Sequence, residues 1–423
     1  MRLSVLGGTA ITLGLASYKA KGYMPEKIGS NNKINVGLVG CGQRGVDQVL
    51  RGIKHLDHYK VVAICDVIPA QMDRVLEHVS NPVKRFLDYR ELVAQEDVDM
   101  VIVATTLKWH FSVCKAALLA NKHVVCEKLM TFDIQEAVEL ERLVDKTDKL
   151  FKVSFEARNN PAYIHAKELV TSGAIGEIIF TDCTWNSRGN WRRKIERPGD
   201  IVEFPTGEKI SRERLLNWRM DTEFSGDLLG EVVCHPFDSA QWILNSGHAK
   251  SAMGMGKTSY WKDGRNSFDN IHSVFNYDNN LVISCNSILS NVNEGYRLSI
   301  YGRDATIRLS LEGGVLIPEE SYGKNSEIIV DAVSGATYTS KKSEEKKWVL
   351  GLESSARDYY GQWEEGYILD TLMGYKALAE SIQQNKPSPI PVKDGKHSSI
   401  AVHLANRSMR EGGEFKWKEE YGT

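Results

Sequence analysis

The stretch Gly230-Glu231-Val232-Val233-Cys234-His235-Pro236-Phe237-Asp238 sets a Glu, a His and an Asp at helical spacing. Residues three or four apart share a helix face, so Glu231, His235, Asp238 and Trp242 line one side. Leu229, Val233, Phe237, Ala240 and Leu244 form an apolar stripe on another. A carboxylate one turn from an imidazole can hold a metal, relay a proton, or belong to a solvated face. A metal would need further ligands, and no Cys or His cluster nearby supplies them, so no metal site is expected. Spacing leaves the other two readings open. Pro236 would clash inside a helix with the carbonyl four residues back, which puts it in the first turn or so and Glu231 near the helix start.

Whatever this face looks at must be positioned by the rest of the chain. "INVGLVGCGQRG" reads as a buried strand, Ile34 to Val39, running into Gly40-x-Gly42-x-x-Gly45 and then a helix. The glycine pattern alone is weak, but a second buried strand, "KVVAICD", ends in Asp66 about twenty residues after Gly45, which is the spacing of a dinucleotide-binding unit. Gly40 would make the tight turn, Gly42 would let the backbone approach a pyrophosphate, and Gly45 would let helix and strand pack closely. Gln43 and Arg44 sit inside that turn, at the helix start that faces the phosphates. Asp66 can accept hydrogen bonds from ribose hydroxyls and would repel a 2′-phosphate, so NAD is expected rather than NADP. "DMVIVATT", which carries Thr105, then "KHVVCEK" and "LFKVSF" continue as strands with helices between them. That alternation predicts an α/β Rossmann domain, a doubly wound parallel sheet, over residues 34–155.

After residue 156 the pattern changes. A helix, "PAYIHAKELVTSG", leads to short alternating strands with Asn, Asp and Gly turns, and two helices close the chain. Residues 156–423 thus read as a substrate-binding and oligomerisation α+β domain with an open, mostly antiparallel sheet, its C-terminal helices packing back toward the first domain. At 423 residues the chain has room for two domains, and a net charge of −2 gives no general field for nucleic acid, so a small-molecule partner is expected. Seven cysteines without a Cys-x-x-Cys pair make neither a disulfide framework nor a zinc signature. Residues 1–33 begin with Arg2 and an apolar run from Leu3 to Ala16, too short to span a bilayer. They read as an export signal, hence a periplasmic protein, or as a disordered segment of a cytoplasmic one.

The run "VIVATTLKWHFSVCKAALLANKHVVCEKLM", followed by "EARNNPAY", resembles the oxidoreductase family of glucose-fructose oxidoreductase, inositol dehydrogenase and rhizopine-catabolism proteins (Gfo/Idh/MocA) over nearly the whole chain after residue 33. The family's Glu-Lys-Pro motif under the nicotinamide reads Glu127-Lys128-Leu129 here, with Leu in place of Pro. His110 matches the His or Asn after the fourth strand, Arg158 the crossover Arg-x-x-Pro, and Trp218-Arg219 a Trp-Arg pair. The resemblance implies that these residues border the cofactor, and that the opening stretch is similar to the family's Asp-x-x-x-His, with Glu231 at the Asp position and His235 as proton relay. It also implies a homodimer or homotetramer built on the bare face of the second sheet.

The implied activity is NAD-dependent hydride transfer at a ring carbon of a sugar or glycoside. Lys128 would stabilise charge on the oxygen, His235 would accept the hydroxyl proton, and Glu231 would orient the sugar or raise the basicity of His235. The loop "WNSRGNWRRKIERPGD" would rim the substrate cleft, Trp185 or Trp191 offering an apolar platform, Arg188 or Arg192 a hydrogen-bond fork, with Asp238 near the substrate. Export would require the NAD to stay bound, which also suits a redox-neutral glycoside hydrolase with a transient keto intermediate. A non-catalytic NAD sensor is disfavoured because Lys128 and His235 are both present.

Overall fold

The structure is a computed structural model that describes residues 33–278, 280–311, 313–319, 326–331, 337–341 and 356–422. The export-signal reading of residues 1–33 falls, but for Lys33, outside the described residues. Strands β1 (Ile34–Val39), β2 (Tyr59–Cys65), β3 (Lys84–Phe86), β4 (Met100–Val103), β5 (His123–Cys126) and β6 (Phe151–Val153) form a parallel sheet in the order β3-β2-β1-β4-β5-β6. This is the doubly wound order whose switch point lies between β1 and β4, where a ligand crevice opens at the carboxyl ends of the strands. Buried Val, Ile and Leu fill β1 and β4 because helices cover both faces. Strand β3 escapes sequence reading: three residues at an exposed edge carry no apolar period.

Among the described residues the second sheet has ten strands and is antiparallel except where β12 (Val282–Ile288) lies parallel to β7 (Ile178–Trp185). Helix α10 (Val392–Glu411) packs on both this sheet and α5 (Ile134–Val144) of the first domain, and one apolar cluster runs through both domains. Leu129 belongs to that cluster. It is buried against the sites where side chains on Gly226 and Gly230 would sit, so the residue replacing the family's Pro fills a gap between domains. The Lys128–Leu129 peptide is cis.

The opening stretch forms a π-helical turn, Leu229–Val233, running straight into helix α8 (Cys234–Leu244). Glu231 therefore sits inside a widened turn and not at a simple helix start. The Cys234 N–H reaches the carbonyl of Leu229, five residues back, and Pro236 follows inside α8 with no N–H to extend either ladder.

Two residues expected at the cleft are structural. Arg158 makes a bidentate ion pair with Asp238, at 2.8 and 2.6 Å, and a further bond to Asp394 of α10. Asp238 is fully buried and Arg158 nearly so, and neither borders the cleft. The helix face carrying Glu231 and His235 thus continues past the cleft into the interdomain core, where two carboxylates compensate the guanidinium. Arg158→Ala strands Asp238 without its counter-ion. It is expected to cost about 3–5 kcal/mol, measured as a lowered urea unfolding midpoint.

Candidate active site

A cleft of about 1490 Å³ opens between the two sheets, walled by the turn after β1, the ends of β2, β4 and β5, the π-turn and the loop after β7. On the first-domain side Gly40 has φ +94°, and a Cβ there would meet the Ala104 carbonyl at 2.5 Å. A Cβ on Gly45 would come within 2.0 Å of the Gly40 carbonyl, so only glycine permits this approach of helix to strand. Gly42 has open space where its side chain would be, the cradle a pyrophosphate needs. The half-buried Asp66 accepts backbone N–H groups from Cys41 and Ile68, both at 2.8 Å, which fixes its carboxylate beside the turn. These features fit a bound dinucleotide.

Arg44, Glu127 and Gln48 form a tight group under this wall. Arg44 donates to Glu127 at 2.6 Å and to Glu156, while Gln48 bonds Glu127 and is itself bonded by Tyr375 from the C-terminal helix Ala356–Gln383. Arg44 and Glu127 border the cleft, yet their polar groups are engaged with one another, so they brace the Glu127-Lys128 turn. His110 is nearly buried, its ring nitrogens against the carbonyls of Leu129 at 2.8 Å and Thr105 at 3.2 Å. It ties the two turns together and has no nitrogen left for a ligand. Burial works against its cation, but Cys126 and the two carbonyls prevail and raise its pKa.

The second domain meets this wall at Lys128. Its ammonium donates to the backbone carbonyl of Glu231 at 2.6 Å. In a π register the carbonyl of residue 231 looks to the N–H of residue 236, which proline lacks, and the Lys128 ammonium takes that place. The Glu231 carboxylate turns instead to Arg219, whose Nε lies 3.1 Å away and whose guanidinium stacks 4.6 Å over Trp218. No hydrogen bond joins Glu231 to His235 among the described residues, so Glu231 fixes Arg219 and Lys128 and does not tune the imidazole.

His235 borders the cleft with its ring 5.5 Å from that of Trp185 and edge-on to Phe155 at 6.2 Å. Burial, then the charges of Lys128 and Arg44, push its pKa well below the ordinary value. The ring is neutral at pH 7 and free to accept a proton.

Of the other expected substrate contacts, Trp185, Arg188 and Trp191 border the cleft. Arg192 does not: it is spent on Glu213 at 3.0 Å and the Asp263 carbonyl at 2.7 Å. Its neighbour Arg193 borders the cleft instead, because Trp191 takes a positive φ of 58° and swings the chain around. Sequence reading passed over Arg193, Glu156, Gln48 and Tyr375. Glu156 lies within the motif "EARNNPAY" and had a local signal, whereas Tyr375 arrives from a helix more than three hundred residues along the chain from Gln48.

Burial raises the Asp66 pKa to about 6, against two backbone N–H groups that lower it. Ribose hydroxyls donate to the ionised form, so NAD affinity is expected to fall as pH drops through about 6 and to hold steady above 7. Calorimetric titration checks this, and Asp66→Asn is expected to bind more weakly at neutral pH with the pH dependence largely removed.

Comparison with known proteins agrees with this geometry. Residues 34–155 match the description "Oxidoreductase family, NAD-binding Rossmann fold" and residues 167–417 "Oxidoreductase family, C-terminal alpha/beta domain", both of Gfo/Idh/MocA. Inositol 2-dehydrogenase of Salmonella typhimurium is 31% identical over 215 residues, covering 50% of this chain and 55% of that protein. Glycosyl hydrolase family 109 protein 1 of a Shewanella species is 26% identical over 169 residues, 38% of this chain and 37% of that one. The chain thus spans about half the length, or less, of these relatives. Among solved structures, levoglucosan dehydrogenase with NADH and levoglucosan superposes with a TM-score of 0.65 at 17% identity, over 91% of this chain and 99% of that one. The aldose-aldose oxidoreductase of Caulobacter crescentus gives 0.65 at 16%, over 91% and 100%. The chain belongs to the Gfo/Idh/MocA oxidoreductase family and is an NAD-binding member of it.

Proposed function

We propose that the cleft oxidises a secondary hydroxyl on the ring of a sugar, glycoside or cyclic polyol. The observation that carries this reading is a neutral imidazole, His235, beside the Lys128 cation at the seam of the two domains. Bound nicotinamide supplies a hydride acceptor. Lys128 lowers the pKa of a substrate hydroxyl placed against it and stabilises the oxygen's developing charge. A weak base then suffices, and His235 takes the proton at a ring nitrogen. The same cation that makes the hydroxyl acidic disfavours a lasting imidazolium, so the proton passes on toward the open cleft. Trp185, its ring tilted beside that of His235, offers a flat apolar face to a ring. The likeness to a protein named inositol 2-dehydrogenase supports a polyhydroxylated ring as substrate.

A second reading is redox-neutral glycoside hydrolysis, supported by the likeness to a family 109 glycosyl hydrolase. There the ketone formed by the same residues would acidify a neighbouring C–H, the glycosidic substituent would leave, water would add and the ring would be reduced again. The net change is hydrolysis with no NAD consumed.

Pairing of chains through the outer face of the second sheet is also proposed. Met253 and Val274 are cross-strand partners on β10 (Ser251–Lys257) and β11 (Asn270–Asn276), and with Met255 they expose an apolar patch.

His235→Ala and Lys128→Ala are each expected to lower turnover at least about 10²-fold while the protein still binds NAD. In the wild type the rate is expected to stay level from pH 8 to 7 on the His235 limb and to decline only well below the ordinary histidine pKa. Mass analysis of products separates the readings: a keto product formed with NADH means dehydrogenation, and cleavage without net NADH means hydrolysis. Activity persisting in both variants defeats either. Met255→Asp is expected to shift the particle to a single chain by light scattering.

A further inference from the structure

We propose that Arg193, on the substrate-domain loop, is an anion clamp that closes over the diphosphate of bound NAD and retains the cofactor between the two domains. The dinucleotide site of the first domain is shared with the family, and the clamp is an addition from the other wall of the cleft. It does not depend on which substrate is oxidised.

Arg193 is held in place through its main chain. Its N–H donates to the Asn217 side chain at 2.7 Å, and its carbonyl accepts from the same amide at 3.4 Å. Asn217 is buried and directly precedes the turn Trp218–Met220, so Arg193 is tied to the segment that presents Arg219. Arg219 marks the catalytic end through its bond to Glu231. At the other end Arg74 donates to the Gln43 side chain at 2.7 Å, and Gln43 belongs to the glycine-rich turn. Arg193 feels both Arg219 and Arg74, and burial together with these like charges lowers its pKa. Arg193 borders the same cleft as Gly40 and Gly42 of the glycine-rich turn, Asp66 and Lys128, the groups that a dinucleotide would span with adenosine by Asp66 and nicotinamide by Lys128.

Neither Arg193 nor Arg74 makes an ion pair with a carboxylate among the described residues. Arg192, one position earlier, shows the alternative, with Glu213 and Asp263 around it. Arg193 thus presents to the cleft a guanidinium that no carboxylate among the described residues pairs, with Arg74 adding positive charge nearby. A diphosphate suits it because a guanidinium can bond two phosphate oxygens at once. Retention of NAD by both domains is also what a cycle that regenerates its cofactor at each turnover requires.

The test uses the full chain loaded with NAD, following exchange of bound for isotopically labelled NAD. Arg193→Gln is expected to speed exchange roughly tenfold or more, and Arg193→Lys by less, because the ammonium keeps the charge but not the fork. ADP-ribose, which has the diphosphate but no nicotinamide, is expected to lose affinity for Arg193→Gln by a similar factor, and adenosine to lose none. Unchanged exchange and ADP-ribose affinity would overturn the clamp. So would an equal loss for adenosine, which reports a general distortion. A loss confined to the KM of a negatively charged substrate overturns it as well, assigning Arg193 to the substrate. NAD exchange is read without turnover, so failure of the proposed oxidation leaves this result separate.

Discussion

The site depends on a single carbonyl oxygen. Pro236 cannot supply the N–H that the widened turn around Glu231 would use, and the Lys128 ammonium from the other domain satisfies that oxygen at 2.6 Å. A buried carbonyl without a donor is costly, so the missing N–H favours the two domains meeting here. The contact sets a fixed cation next to an imidazole that burial has already made reluctant to charge. Burial first and Lys128 next make His235 a weak base, and in the proposed oxidation the same cation would raise the acidity of the substrate hydroxyl.

Around this contact the polar groups hold one another. Glu231 spends its carbonyl on Lys128 and its carboxylate on Arg219, and the length of its side chain lets it cross to the Trp218–Arg219 turn. Arg44 and Gln48 fix Glu127 from below, and His110 fixes the Leu129 and Thr105 carbonyls on either side. Deeper still, Arg158 locks α8 to α10 through Asp238 and Asp394. Much of the sequence motif that borders the cleft is thus bracing.

Much of the fold was legible because its elements are long or periodic. The buried runs of β1, β2 and β4 and the glycines after β1 announce the first domain, and Tyr296–Gly302 reads as a strand from its alternation alone. Elements without a period were hidden: β3 is a three-residue edge, and β10, "SAMGMGK", carries glycines where apolar residues would show the alternation. At the site, the glycines and Asp66 of the first wall could be named from motif spacing, and His110, Glu127 and Lys128 from the family resemblance. The second wall resisted for a geometric reason. Helical spacing set Asp238 with Glu231 and His235 correctly on one face but could not tell that the face leaves the cleft one turn later. In the loop, a positive φ at Trp191 exchanges the roles of Arg192 and Arg193, which no pattern of residue types encodes.

Burial and Lys128 hold His235 in the neutral form that the proposed proton transfer needs. NMR titration of the His235 ring carbon and nitrogen signals in the full chain reads this directly. The ring is expected to stay neutral throughout pH 6.5 to 8, with any midpoint well below the ordinary value of about 6.5. A midpoint at or above that value would contradict it.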